Sequence, residues 1–451
     1  MHILSFALVA VVARCAHAAV IPQQHPLFTE GRPWKTVDGE PTKLFGHRGE
    51  RAFALPEHSL PSYHMAVWEH ADFIEPDLVL TKDNVLVIYH DLSIKSSTDV
   101  ADHPEFQHLK RNATIWDPWG NAGNVTLVDD WFINDFTLGE LKTLKLRAVG
   151  GGADGKNMRT PRYFDDIFRI PTFQEYLDLV HDDSIKADRV IGIVPELKHP
   201  SWHNERVGKP HFMEDLVLQT LEANGYPLRK KDKAVLDAKC TKPRGPVVIQ
   251  SFEPDAAKFA VEGVPSKCPN TDFLLWNVDI LTPKGLNEVA IYATALGPWK
   301  GFYLEGIVAS LASDNATAIL PLLQKTIDAN GGLIPAKHLS KEIKKRGLKQ
   351  MPYTFYSSYD VPAKKDHNAG DTALHERTLE LFYFMAQGMD ALFVENVAEA
   401  VLIRQRFVDR YGLSGRTLGA RADGKDEADK ESELEALRTW LVGVDRLGRR
   451  N

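Results

Sequence analysis

The sequence predicts a parallel α/β fold: a (β/α)8 barrel with one large insertion between its second and third strands. Three observations lead there. From Leu44 onward, short apolar runs alternate with helical patterns, as β/α units do. Eight such repeats follow one another before about residue 412. Residues able to do chemistry follow directly on the apolar runs: His47-Arg48 after Leu44-Phe45-Gly46, Glu75-Pro76-Asp77 after Phe73-Ile74, and His90-Asp91 after Val85 to Tyr89. The ends of buried strands are where α/β enzymes collect their functional groups. An open doubly wound sheet fits the same alternation and is the alternative.

Residues 1–20 read MHILSFALVAVVARCAHAAV, an apolar stretch from Ile3 to Val12 followed by small residues. Ala16-His17-Ala18 matches the A-x-A cleavage pattern, so residues 1–19 are expected to be a signal peptide cut after Ala18 or Ala19. The run is too short to span a bilayer, and no stable membrane span is expected later in the chain. Cleavage would remove Cys15 and leave Cys240 and Cys268, an even pair able to form one disulfide in an oxidising compartment. Acceptor sequons begin at Asn112, Asn124 and Asn315. Together these features point to secretion, with the cell exterior, a cell wall or a vacuolar lumen as destination.

Residues 20–42 are polar, contain prolines and read as an arm. The expected strands are Lys43–Gly46, Phe73–Leu78, Val190–Glu196, Val247–Ser251, Phe273–Trp276, Gly301–Leu304, Met351–Phe355 and Ala391–Glu395. Helical patterns cover Ser59–Glu69, Phe173–Val180, Phe212–Asn224, Pro254–Glu262, Lys284–Thr294, Thr317–Ala329, Leu374–Ala386 and Val397–Arg410. Ser59 serves as an N-cap with Pro61 early in the helix. Asn224-Gly225 and Gln387-Gly388 supply helix ends.

The stretch from His90 to Val190 is too long for one connection. Residues 92–165, with Trp116, Trp119, Trp131 and the run Gly150-Gly151-Gly152, read as an inserted subdomain near the mouth, with a small capped helix over Phe136–Leu141. The barrel domain should occupy residues 43–412. Residues 413–451, rich in Arg, Asp, Glu and Lys, should form an exposed charged tail. The whole chain has 451 residues and a formal charge of −7, which argues against a nucleic-acid partner, since such a protein would show a basic face.

Glu75 and Asp77 stand two apart on a predicted strand, so alternation points both the same way. Paired carboxylates repel and need a cation or a proton. Glu196 ends a third-strand run, with Lys198 following on the same face. Three converging oxygen donors suit Mg2+ or Ca2+. A structural Glu196–Lys198 pair explains those two residues alone equally well. His47 and His90 are histidines, a side chain that in free form titrates near neutrality and can pass a proton in successive steps. Arg48 has the planar fork that matches a phosphate. Asp91 fits either as a partner orienting His90 or as a turn former.

These residues sit in a text that closely resembles the glycerophosphodiester phosphodiesterases, the bacterial periplasmic type and its secreted eukaryotic relatives. The shared landmarks are Gly46-His47-Arg48-Gly49, Leu55-Pro56-Glu57-His58-Ser59-Leu60-Pro61, Ile74 to Asp83, His90-Asp91, Thr98-Asp99-Val100 and Ile191 to Lys198. Gln250-Ser251-Phe252, Pro352-Tyr353-Thr354 and Ala391-Leu392-Phe393-Val394-Glu395 continue the series, so the likeness runs from about residue 43 to 405. The resemblance implies a TIM barrel that hydrolyses glycerophosphodiesters to sn-glycerol 3-phosphate and a free alcohol. It implies His47 and His90 as an acid–base pair and Arg48 and Lys198 as phosphate contacts. It further implies Glu75, Asp77 and Glu196 as ligands of one divalent ion, Ca2+ or Mg2+. Glu57 falls in the motif's acidic position, suited to orienting His47 or Arg48. Phe252 and Tyr356, at later strand ends, are candidates for contact with the glycerol or headgroup, or for rim packing. Lys95 stands where many relatives carry arginine, and Glu395 where an aspartate is frequent; neither is expected to touch the catalytic set.

Two rivals share this pattern. One is a phospholipase D-like or sphingomyelinase-D-like enzyme acting on intact lipids, for which Trp116 and Trp119 would supply an apolar rim. The other is a non-catalytic secreted binding protein that keeps the barrel. The cysteine expectation is tested by mass spectrometry of the mature protein with and without reductant. Cys240 and Cys268 should gain alkylation only after reduction; two free thiols in the untreated protein would overturn the disulfide.

Overall fold

The computed structural model describes residues 34–52, 55–116, 124–148, 162–226, 245–263, 271–275, 280–313, 317, 319–356 and 369–411. The expected signal segment, Cys15, Cys240, Cys268, Trp119, Asn315, the triple glycine and the charged tail lie outside those residues.

The backbone forms parallel strands in barrel order. In chain order the elements that position the mouth are β1 (Lys43–His47), α1 (Leu60–Trp68), β2 (Phe73–Glu75), β3 (Asp77–Leu80) and β4 (Leu86–Ile88). The inserted hairpin β5 (Arg111–Trp116) and β6 (Asn124–Asp130) follows, then α2 (Leu138–Leu141) and α3 (Phe173–Lys186). Next come β7 (Gly192–Ile193), β8 (Glu196–Leu197), α4 (Pro200–Val207), α5 (Phe212–Ala223), β9 (Val247–Ser251), α6 (Pro254–Gly263) and β10 (Thr271–Leu275). The chain continues through α7 (Pro283–Val289), β11 (Ala295–Leu296), α8 (Gly301–Leu304), α9 (Ile307–Ser313), α10 (Ile319–Ala329) and α11 (Ala336–Lys344). It closes with β12 (Lys349–Gln350), α12 (Ala369–Gln387), β13 (Ala391–Val394) and α13 (Val397–Tyr411).

The strand order is β12-β11-β10-β9-β7-β2-β1-β13. The barrel is not closed by a continuous ladder. Its ends meet through the backbone of Asp390, which donates to Gln350 at 2.8 Å, and of Phe355, which donates to Phe393 at 2.8 Å.

Period-two alternation divides the sheet into two faces. Phe45, Phe73, Val194, Val248, Ala295, Met351 and Phe393 pack together inside the strands. Leu44 and Ile74, their immediate neighbours, join the larger layer between sheet and helices. At Gly192 a side chain is excluded by packing: an added Cβ would lie 2.1 Å from the Phe73 ring. The helices begin where local chemistry permits. Ser59 accepts from the Ser62 amide at 3.3 Å. Thr137 with Glu140 and Thr172 with Glu175 form capping boxes at α2 and α3.

Several expected boundaries move. Gly301–Leu304 is a short helix, and the sixth strand is Ala295–Leu296. An isolated apolar run of four residues carries no period that separates a strand from a buried helical turn. The seventh strand is Lys349–Gln350, while Tyr353 and Phe355 make only single bridges to Trp299 and Val394. The second and third strands each break, at Pro76 and at Val194-Pro195, where proline removes the ladder donor. Residues 20–42 read as an arm, yet Trp34 is buried against Phe407 of α13 at 5.2 Å.

The strand leading to His90 is not a barrel strand. β4 returns antiparallel along β3, pairing Leu78 with Ile88 and Leu80 with Leu86. Val79, Val87 and Tyr89 of this hairpin share a second core with Ile133, Phe136 and Leu141 from the segment that follows. β5 and β6 pair antiparallel beside it; exposed Asn112 accepts from the Asp129 amide at 2.9 Å.

Gly192→Ala should destabilise the fold by about 1–3 kcal/mol, the usual cost of overpacking a filled core. Urea unfolding would measure it; a second variant, Phe73→Leu, should recover part of the loss by vacating the ring's place.

Candidate active site and metal centre

The site starts at a tight turn. After His47, Arg48 has φ 60° and Gly49 φ 89°, two successive left-handed residues. A Cβ at Gly49 would lie 2.7 Å from the Ser62 backbone, so glycine is required there on both counts. The turn aims the Arg48 amide at Glu75 Oε2, 2.8 Å away. Arg48 itself pairs through Nη1 with Glu57 Oε1 at 3.0 Å, and its Nε lies 3.5 Å from Asp77 Oδ2.

Glu75, Asp77 and Glu196 converge, each buried, with one carboxylate oxygen apiece inside a common span of 4.8 Å. Register brings them together: Asp77 of β3 lies opposite Glu196 of β8. Proline at position 76 splits the run, so Glu75 ends one strand and Asp77 begins the next without losing the shared direction. Lys198 follows, its Nζ 2.8 Å from Glu196 Oε1 and 3.9 Å from Asp77 Oδ1.

Charge crowding sets the titration. Burial, with the charges of Asp77 and Glu196, pushes Glu75 well above the ordinary carboxylate range. Burial also pushes Glu196 up to about 7 against the pull of Lys198, with Asp77 adding to the rise. Burial would raise Asp77 too, but Lys198 and a hydrogen bond from His58 hold it well below the usual value. Asp77 Oδ1 is buried and makes no hydrogen bond. A buried carboxylate oxygen without a donor, inside a cluster with excess negative charge, is the environment that a hard divalent cation satisfies. The donor set is all oxygen, which fits Ca2+ or Mg2+.

The two predicted histidines differ. His47 is largely but not fully buried; desolvation and the Arg48 charge lower its pKa to about 4, so the ring is neutral at pH 7. His90 is about a third exposed and bonds through Nδ1 to Asp91 Oδ1 at 2.5 Å. Asp91 therefore partners His90 directly. Burial would raise its carboxyl, but His90 and Arg48 bring it below the ordinary range.

Other expected residues take narrower places. Glu57 is the counter-ion of two arginines, Arg48 and Arg51 (Nη2 to Oε2, 3.2 Å), and contacts Arg48 rather than His47. Burial would raise its carboxyl, yet the two guanidiniums hold it far below the usual range. The Phe252 ring lies 5.3 Å from Lys198 Nζ and 6.0 Å from the Tyr353 ring. Tyr356 stands over Lys300 Nζ at 5.4 Å, which itself pairs with Glu380 at 2.8 Å. Lys95 is exposed. Glu395 departs from expectation: its Oε1 lies 3.5 Å from His47 Nδ1 and bonds Arg51 Nη1.

Sequence reasoning missed four contributors. His58 bonds Asp77 Oδ2 through Nε2 at 2.9 Å and Tyr63 through Nδ1 at 2.7 Å. Gln250 donates to Glu196 Oε2 at 2.6 Å from the opposite register position of β9. Arg51 joins Glu57 to Glu395. His199 follows Lys198 at φ 46°; burial and the Lys198 and His90 charges lower it to about 4. Gln250 and His58 were both inside recognised motifs, and adjacency to the acidic residues was the available signal. Arg51 and Glu395 meet only through the fold.

Among the described residues, no helix is long and apolar enough to cross a membrane. The profile of the glycerophosphoryl diester phosphodiesterase family matches residues 47–397. A glycerophosphodiester phosphodiesterase of Arabidopsis thaliana, GDPD6, is 33% identical over 308 residues, 64% of this chain and 73% of the relative. A glycerophosphodiester phosphodiesterase of Haemophilus influenzae is 31% identical over 197 residues, 43% of this chain and 48% of that protein, about half its length. A solved glycerophosphodiester phosphodiesterase from Parabacteroides distasonis is 18% identical, with a TM-score of 0.42 over 81% of this chain and 98% of that one.

The acidic cluster gives a pH signature. Glu75 and Glu196 bind protons more tightly folded than unfolded, so without a divalent ion their contribution to stability is lost as pH rises through their raised pKa values, about 7 for Glu196. Asp77, held low, titrates below that window. Added Ca2+ or Mg2+ should therefore raise Tm more at about pH 8 than at about pH 5. Asp77→Asn should abolish the shift. An equal shift at both pH values, or one that survives Asp77→Asn, would place the ion elsewhere.

Proposed function

This chain belongs to the glycerophosphoryl diester phosphodiesterase family, and from that premise we propose that it is a secreted, divalent-metal-dependent enzyme using His47 and His90 as base and acid. Its activity is hydrolysis of glycerophosphodiesters. The proposed products are sn-glycerol 3-phosphate and a headgroup alcohol. The observation that carries the reading is the meeting of Glu75, Asp77 and Glu196 between Arg48 and Lys198, two cations on an otherwise acidic floor.

Glu75, Asp77 and Glu196 would hold the ion, which supplies Lewis-acid polarisation of the phosphodiester and neutralises developing charge. Arg48, pinned by Glu57, presents a fixed guanidinium to the phosphoryl oxygens. Lys198, whose charge Glu196 and Asp77 favour despite burial, adds a second cation. Neutral His47 accepts a proton from the attacking water, whose oxygen bonds phosphorus as the P–O bond to the headgroup breaks. His90, backed by Asp91 and reachable by solvent, donates a proton to the departing alcohol and is recharged from water. Phe252 offers an apolar wall beside Lys198 for the glycerol or headgroup.

Secretion rests on the leader at residues 1–19, the Cys240 and Cys268 pair and the three sequons. The lipid-acting alternative drew on Trp116 and Trp119. The Trp119 side of that argument lies outside the described residues, and no structural observation favours it over the soluble diester.

A coupled assay for glycerol 3-phosphate release from glycerophosphocholine tests the assignment. Turnover should vanish with EDTA and return with Ca2+ or Mg2+. His47→Ala and His90→Ala should each lose on the order of 100- to 10,000-fold, the usual worth of a general acid or base. With a p-nitrophenyl diester, whose leaving group needs no proton, His90→Ala should recover most activity and His47→Ala should not. The reverse pattern would exchange the two roles.

A further inference from the structure

Resting on the acid–base reading above, we propose that Glu395 is a positioning residue for His47, selecting the ring tautomer that leaves Nε2 free as the base. β1 pairs parallel with β13, Gly46 opposite Val394, so the next residues along, His47 and Glu395, stand side by side at the mouth. His47 Nδ1 is buried and makes no hydrogen bond of normal length. Glu395 Oε1 stands 3.5 Å from it and is the one carboxylate in ion-pair range among the described residues. Phe393 meets the His47 ring edge-on, 6.2 Å between centroids, and limits its rotation. A neutral imidazole carries one N–H, and a carboxylate beside Nδ1 keeps that hydrogen on Nδ1.

Glu395 is itself held. Its side chain is 3% exposed and bonds Arg51, and its amide donates to Phe355 O at 3.1 Å. The Arg51 amide returns a bond to Glu395 O at 3.3 Å. Arg51 also pairs with Glu57, which pairs with Arg48. A line of alternating charge thus runs His47–Glu395–Arg51–Glu57–Arg48 at the mouth end of the paired strands β1 and β13. It fixes the base and the phosphate-facing arginine relative to each other.

Glu395 also serves Arg51 as a counter-ion, so the test must separate orientation from support. A double-mutant cycle on glycerophosphocholine hydrolysis does so. Glu395→Gln should lower kcat about 10- to 100-fold, the range for partners that orient a functional imidazole, with KM within about twofold. Glu395→Asp should restore part of it. On the His47→Ala background, Glu395→Gln should cost nothing more. The His47 ring in 15N–1H correlation spectra should show the Nδ1–H tautomer in the native enzyme and a mixture in Glu395→Gln. An undiminished loss on the His47→Ala background, or native turnover in Glu395→Gln, overturns the inference. Full turnover in His47→Ala overturns the acid–base reading, and the inference with it. If Glu395→Gln does not fold, Glu395→Asp gives the same cycle with the carboxylate withdrawn by one methylene.

Discussion

Three carboxylates cannot share one buried site at neutral pH uncompensated, and the residues around Glu75, Asp77 and Glu196 are arranged by that constraint. The cost of an unpaired buried charge is several kcal/mol even after relaxation. Each acid has been given a different relief. Asp77 has Lys198 and His58, Glu196 has Lys198 and Gln250, and Glu75 has the Arg48 amide. The sum still leaves Asp77 Oδ1 without a donor and Glu75 with a strongly raised pKa. A divalent cation supplies what the protein groups withhold. The cluster is thus poor packing and good chemistry, as functional sites often are.

The same constraint explains the turn after β1. To direct an amide at Glu75 and a guanidinium toward Asp77, the chain adopts two left-handed residues in succession. Strain at Arg48 is offset by what holds the loop: Ser62 donates through its hydroxyl to Arg48 O at 3.1 Å, and the His58 amide donates to the same oxygen at 3.0 Å. Glu50 extends the hold, accepting from the Val397 amide at 2.7 Å where α13 begins. Loop, first helix and last helix are fastened together at the mouth end of the β1–β13 pair.

Legibility in the sequence followed the range of the interaction concerned. β9 appears in full and β1 but for its last residue, because each is a short apolar run with clear ends; α1, α2 and α3 appear because Ser59, Thr137 and Thr172 cap them locally. Gly301–Leu304 was misread because four buried apolar residues look alike as a strand or as a helical turn. The apolar run before His90 was legible, but that it returns antiparallel along β3 was not, since pattern alone does not give direction. Glu395 was read only as a departure from a frequent aspartate, not expected to touch the catalytic set, because no local pattern links it to His47. Its partner His47 lies at the other end of the domain.

By itself the sequence determined which residues carry charge at strand ends: His47, Arg48, Glu75, Asp77, His90, Glu196 and Lys198. It did so because alternation and the strand-end rule depend only on neighbours. Tertiary structure alone decided what those residues face. Register between parallel strands set Asp77 against Glu196, Gln250 against Glu196 and His47 beside Glu395. It also settled Glu57, read as orienting His47 or Arg48, as the counter-ion of two arginines, Arg48 and Arg51. Pairings between segments hundreds of residues apart leave no period in the chain, because they are fixed by sheet closure and burial rather than by local backbone preference.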